Sequence, residues 1–172
     1  EADVTLSIDR GGLALDLGCG TGATVRAFAP VAPAGLRWRL VDNDAGLLAL
    51  AAARCGPEAE TVLLDLADPD RIPLDAARLV TASALFDLVS EAWVEALAGR
   101  LARAGLGLHA ALTYDGQLDW EPGMPADASV RAAFNAHQGG DKGFGPALGP
   151  AAPAALAAAF TRHGYEVPNK AG

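Results

Sequence analysis

Short apolar runs alternate along this chain with stretches in which apolar residues recur at helical spacing. Residues 13–17, Leu-Ala-Leu-Asp-Leu, run straight into Gly18-Cys19-Gly20-Thr21-Gly22, the pattern of a buried strand entering a tight loop. Residues 23–29 read as a helix stopped by Pro30, because proline cannot continue the ladder. A second strand is predicted over 36–42, and Asp44 is placed to cap a helix over 45–54 that ends at Gly56-Pro57. A third strand follows over 60–65, then a polar loop with Pro69 and Pro73. The fourth covers 78–83. Ser90 is placed to cap a helix over 91–103, in which Trp93, Val94, Leu97 and Leu101 share a face. Residues 106–113 make a fifth strand.

The pattern then breaks. Residues 114–150 are rich in Gly, Pro and Asp and read as an irregular substrate or lid segment. An alanine-rich helix is expected over 151–163, and Gly164-Tyr165-Glu166-Val167 reads as the opening of one more strand. Strands and helices that alternate in this way predict an α/β fold, a doubly wound and mostly parallel sheet with helices on both faces. A chain of 172 residues without internal repeats fits one domain over 1–172. It starts at Glu1 and stops just after an apparent strand start, so the final strands of the sheet are expected to be missing.

Composition narrows the picture slightly. The chain is 51% hydrophobic and 20% charged, as in globular enzymes, with a net charge of −8. That sign repels phosphate backbones and anionic lipid, so neither nucleic acid nor membrane is the expected partner. No apolar run is long enough to span a bilayer and no secretory signal opens the chain. Cys19 and Cys55 show no metal-ligand spacing, so no metal is expected, and reduced thiols in a cytoplasmic protein are the default. The oligomeric state is not legible.

Three features converge on a ligand. The glycine loop lies between a buried strand and a helix, where its backbone can approach a bound molecule closely. Asp42 ends the second strand about 20 residues later, the place of an acid that accepts from ribose hydroxyls. Asp65 ends the third strand, placed to accept from the amino group of an adenine. All three sit at carboxyl ends of strands, where open α/β sheets bind ligands. Each has a plainer alternative. The glycines could serve a tight turn, Asp42 a helix cap, and Asp65 an exposed turn.

Leu15-Asp16-Leu17-Gly18-Cys19-Gly20-Thr21-Gly22 resembles the first motif of class I S-adenosylmethionine-dependent methyltransferases, which have a Rossmann-like fold. Leu40-Val41-Asp42-Asn43-Asp44 resembles the second motif, and Leu64-Asp65-Leu66 the adenine-side motif. Thr81-Ala82-Ser83-Ala84-Leu85-Phe86-Asp87 resembles the fourth. The likeness covers roughly residues 12–113 in the family's order and extends to bacterial members of this superfamily. It implies that Asp16, Gly18 and Gly20 surround the methionine part of S-adenosylmethionine and that Asp42 holds the ribose. Asn43 would pack beside the adenine, held by Asp65 and Leu66. Ser83 would line the methyl-donor side, with Cys19 and Gly22 contributing to the loop. S-adenosylhomocysteine would be the product.

The acceptor is far less legible, because in-line methyl transfer mainly needs alignment and exclusion of water. The run His137-Gln138-Gly139-Gly140-Asp141-Lys142 combines an imidazole, a carboxylate and an amine with flexible glycines. His137 is a candidate general base, Lys142 a candidate contact for an anionic acceptor, and Asp141 a third polar candidate. Tyr114 follows the fifth strand at the ligand rim. A solvated polar loop explains the same residues. A small-molecule acceptor is expected, since Ser83-Ala84-Leu85-Phe86 stands where amide and tRNA methylators often carry Asn-Pro-Pro-Tyr. A non-catalytic cofactor-binding module remains an alternative. A nicotinamide-dependent oxidoreductase is disfavoured because Gly18-x-Gly20-x-Gly22 departs from the G-x-G-x-x-G spacing.

Overall fold

A computed structural model describes residues 11–168. Five strands, β1 (Leu13–Leu17), β2 (Arg37–Asp42), β3 (Ala59–Leu63), β4 (Ala77–Ser83) and β5 (Gly107–Ala111), form one all-parallel sheet in the order β3-β2-β1-β4-β5. Helices α1 (Ala23–Phe28), α2 (Ala45–Cys55), α3 (Glu91–Ala104), α4 (Asp127–Gln138) and α5 (Ala152–Arg162) connect and flank the strands. The expected doubly wound α/β fold is therefore present. The chain forms two compact units. The first contains residues up to Leu66 together with Pro73–Ala82 and Leu106–His109; the second contains Ala67–Ile72, Ser83–Gly105 and Ala110 onward.

In the first unit β1 is central and every one of its residues is buried, which is why it reads as an unbroken apolar run. Its register pairs Asp16 with Leu40 of β2 and with Thr81 of β4. Leu40, Leu48, Ala51 and Trp38 build the core beside it, together with the Cys19 thiol. The Asp44 carboxylate caps α2 by accepting from the backbone N–H groups of Gly46 and Leu47 at 2.7 and 3.0 Å. His109 packs edge-on against Phe28 at 5.2 Å, and burial holds its pKa below the usual imidazole value.

In the second unit Ser90 caps α3 through the Trp93 N–H, and Gly105 ends it in the left-handed conformation. Trp93, Val94, Leu97 and Leu101 are buried, as their spacing requires. The Phe144 ring stands edge-on to Trp93 at 5.9 Å. Two backbone bonds, Leu148 N–H to Val89 O and Gly149 N–H to Asp87 O, both 2.9 Å, tie the segment after it to the turn beyond β4.

Three expectations need correction. The stretch 114–150 is not wholly irregular, since it contains the 12-residue helix α4. That helix buries no residue and has no capping side chain at its Ala126 N-cap, so neither a core stripe nor a start signal marks it. Gly164–Val167 forms no strand. Gly164 takes a positive φ of 86° to stop α5, the Tyr165 N–H donates to Phe160 O, and the two rings meet at 5.0 Å. The residues that resemble a strand opening are a helix stop. β3 ends at Leu63, so Asp65 lies in the following loop.

Gly22 starts α1 at φ 79°, and a Cβ there would sit 2.3 Å from Cys55 Sγ. Gly22→Ala should cost about 2–3 kcal/mol of unfolding free energy, measured in urea. Adding Cys55→Ala should recover the steric part and leave roughly 1 kcal/mol of backbone strain. Unchanged stability of Gly22→Ala would refute this close packing.

Candidate cofactor site

The first unit brings most of the expected cofactor residues into one small region. Asp42 at the end of β2 fastens the glycine loop. Its Oδ2 accepts from the Gly20 N–H at 2.8 Å and its Oδ1 from the Asp44 N–H at 3.1 Å. The Cys19 N–H donates to Val41 O at 3.0 Å, so the loop is pinned to β2 by side chain and backbone together. Gly18 and Gly20 take φ of 63° and 53°, a region that L side chains rarely occupy. A Cβ on Gly20 would meet no protein atom within 4 Å. Among the described residues, nothing lies close over that backbone.

Asp16 lies at the floor of this region and is fully buried. Thr81 Oγ1 donates to its Oδ1 at 2.6 Å, whereas Oδ2 is buried without any partner. Burial pushes its pKa up from 3.8 to about 6; hydrogen bonds from Thr81 and Thr24 pull it down, and the Asp42 charge adds a small upward push. A buried carboxylate with one oxygen unserved calls for a donor from outside the chain, and a cationic donor fits best. An ammonium group meets that requirement, as the methionine end of the expected cofactor would.

The Cys19 backbone N–H ties the loop to β2. Its thiol is buried, and burial together with the Asp16 and Asp42 charges raises its pKa to about 12, so it is not a nucleophile at neutral pH. Asn43 and Asp65 are exposed, and Leu66 is buried beside Asp65 in the loop beyond β3. Ser83 ends β4 half-buried, in the second unit.

The four acceptor-side candidates also belong to the second unit. The Tyr114 hydroxyl donates to Asn135 of α4, and its ring stands edge-on to Phe134 at 5.5 Å. His137 is exposed near the end of α4. Asp141 Oδ1 accepts from the N–H groups of Gly143 and Gly145 at 2.7 and 3.1 Å, so this carboxylate shapes the loop that carries Lys142. Among the described residues none of the four side chains bonds another, and no group of His, Cys, Asp and Glu could hold a metal ion.

Sequence reasoning missed the supports. Thr81 and Thr24 orient Asp16, and the first was legible only through strand register. Asp87, inside the fourth motif, has a buried Oδ1 without a partner. No spacing rule singles it out.

The charge linkage is testable. Between about pH 4 and 6 folded Asp16 keeps a proton that the unfolded chain releases. Its contribution to stability therefore falls as pH rises through that window. The stability of Asp16→Asn relative to wild type should grow by about 2–3 kcal/mol from pH 4 to pH 7. A pH-independent difference in urea midpoints would contradict the burial argument.

Residues 14–105, just over half of the chain, match the family model described as Methyltransferase domain. No curated protein matches the sequence. Solved structures share its fold. The mycolic acid cyclopropane synthase CmaA1, complexed with SAH and CTAB, aligns at a TM-score of 0.63 and 17% identity, covering 95% of this chain and 58% of that one. The geranyl diphosphate C-methyltransferase of Streptomyces coelicolor, in complex with Mg2+, geranyl diphosphate and S-adenosyl-L-homocysteine, aligns at 0.58 and 16%, covering 92% and 54%. Human N-acetylserotonin methyltransferase in complex with SAM aligns at 0.57 and 16%, covering 90% and 42%. At these identities the likeness is one of fold, and the chain spans less than two thirds of each relative. Among the described residues no helix is long and apolar enough to cross a membrane.

Proposed function

This chain belongs to the methyltransferase domain family, and from that premise we propose that it transfers a methyl group from S-adenosylmethionine to a small-molecule acceptor. The observation that carries the reading is the Asp16 carboxylate, wholly buried with one oxygen unserved. It lies in the unit whose glycine loop Asp42 holds open-faced.

Bound S-adenosylmethionine supplies a sulfonium-activated methyl and leaves as S-adenosylhomocysteine. In this reading Asp16 takes the methionine ammonium, with Gly18, Cys19, Gly20 and Gly22 giving backbone close to it. Asp42 spends one interaction per oxygen on backbone N–H groups and keeps lone pairs for two ribose hydroxyls. Asn43, Asp65 and Leu66 flank the adenine, and Ser83 faces the donor side.

Residues 114–150 take the acceptor. His137 accepts a proton where the acceptor must lose one, Tyr114 and Lys142 supply polar contacts, and Asp141 keeps their loop in shape. Nucleic acid and membrane stay outside this reading, for which the net charge of −8 is the support. Two free thiols suit a reducing, cytoplasmic setting.

Titration calorimetry with S-adenosylhomocysteine tests the assignment. Wild type should bind, and Asp42→Ala should bind roughly 30-fold or more weakly, since charge-assisted bonds to the ribose are lost. Circular dichroism should show that the variant remains folded. Absence of binding by folded wild type would overturn the reading, as would undiminished binding by Asp42→Ala.

A further inference from the structure

Among the described residues two buried side-chain oxygens lack a hydrogen-bond partner, Asp16 Oδ2 and Asp87 Oδ1. They belong to different units. Asp16 is helped by Thr81 and Thr24. Asp87 has less help. It is 8% exposed, and no hydrogen bond or ion pair from the described residues reaches its carboxylate. Four cations of its unit are engaged elsewhere. Arg100 serves Pro69 O, Ile72 O and Asp70, Arg131 serves Leu118 O and Asp119, and Arg162 and His163 both meet Glu95.

The surroundings of Asp87 are assembled from stretches far apart in sequence. It stands in the turn between β4 and α3, where the Leu88 N–H donates to Leu85 O at 3.0 Å. The Gly149 N–H donates to its backbone oxygen at 2.9 Å, and the Leu148 N–H does the same for Val89. Gly149 is buried at a φ of 49°, and a Cβ on it would stand 3.1 Å from the Gln138 Cβ. The turn after β4, the segment 147–149 and the end of α4 thus meet there, and they bring no positive charge to the carboxylate.

An ionised carboxyl taken from water without a partner is a large cost to folding. Its sign excludes an anion as the missing partner. A hydroxyl would satisfy an oxygen and leave the charge uncompensated. A metal ion needs further ligands, and among the described residues no group of His, Cys, Asp and Glu could hold one. An ammonium supplies both a positive charge and directed N–H donors.

We propose that Asp87 is a binding residue for the protonated amine of a small-molecule ligand, held within the second unit. The inference does not depend on the methyltransferase reading, since every residue it uses lies in that unit.

Methylammonium is the probe, and methanol is its neutral counterpart of similar size. Each is titrated at neutral pH and constant ionic strength into wild type and Asp87→Asn, followed through the amide NMR signals of Leu88 and Gly149. Wild type should show saturable shifts with methylammonium alone, and Asp87→Asn should bind it roughly 10-fold or more weakly. The variant should also unfold at a higher urea concentration than wild type, because a buried amide costs less than an unpaired buried carboxylate. A purely structural role for the acid requires the reverse. A less stable or unfolded variant, equal shifts with methanol, equal binding by both proteins, or no saturable shift in wild type would each overturn the proposal. Both proteins should bind S-adenosylhomocysteine equally, and its loss in the variant alone would overturn the proposal as well. Failure of wild type to bind S-adenosylhomocysteine would tell against the methyltransferase reading only.

Discussion

Asp16 places a carboxylate in a strand that has no exposed residue. Hydration is lost there; Thr81 serves Oδ1 and Thr24 also stabilises the carboxylate, yet Oδ2 has no hydrogen-bond partner. Keeping such a group costs stability at neutral pH. Leucine at that position would pack the sheet without the penalty. The surroundings are arranged to hold the acid in one orientation, since β4 sets Thr81 directly across from it in register. An underserved buried carboxylate at the carboxyl end of the central strand supports the proposed reading, in which it meets a bound ligand.

The glycine loop follows from the same arrangement. It leaves β1 just after Asp16, Gly18 and Gly20 turn through positive φ, and Gly20 leaves no side chain above the backbone. A loop of that kind would be loose on its own. Asp42 removes the freedom by accepting from Gly20 on one side and Asp44 on the other, which joins loop, strand and helix start through one side chain. Asp44 then caps α2. The two acids, Asp16 in β1 and Asp42 at the end of the neighbouring β2, thus stand differently: Asp16 is buried with one oxygen unbonded, whereas Asp42 fixes the backbone through both of its oxygens.

The first half of the chain was legible because β1, β2, α2 and α3 each bury apolar residues, whereas β3, with none buried, was bounded less well. β1 was bounded to the residue, and α2 and α3 announced their starts with Asp44 and Ser90. The acids at the strand ends could be named because a parallel sheet dictates where ligands bind. The second half obeys other constraints. α4 holds its place by hydrogen bonds from Arg131 and Asn135 and not by a core stripe, so hydrophobic periodicity could not reveal it. Tyr165 was read as a strand residue but closes a helix end. Asp141 has the chemistry of a catalytic group, yet its carboxylate accepts two loop N–H groups. Side-chain type suggested reactivity where the local geometry shows turn formation.

The most direct measurement is a carbon-13 NMR titration of the Asp16 carboxyl, assigned by its loss in Asp16→Asn, without and with saturating S-adenosylhomocysteine. The account predicts a midpoint near 6 for the free protein. With ligand bound, the nearby ammonium should lower it by roughly one unit or more. A midpoint near the ordinary aspartate value in the free protein, or one that ligand leaves unmoved, would contradict the claim that this buried carboxylate is the anchor of the site.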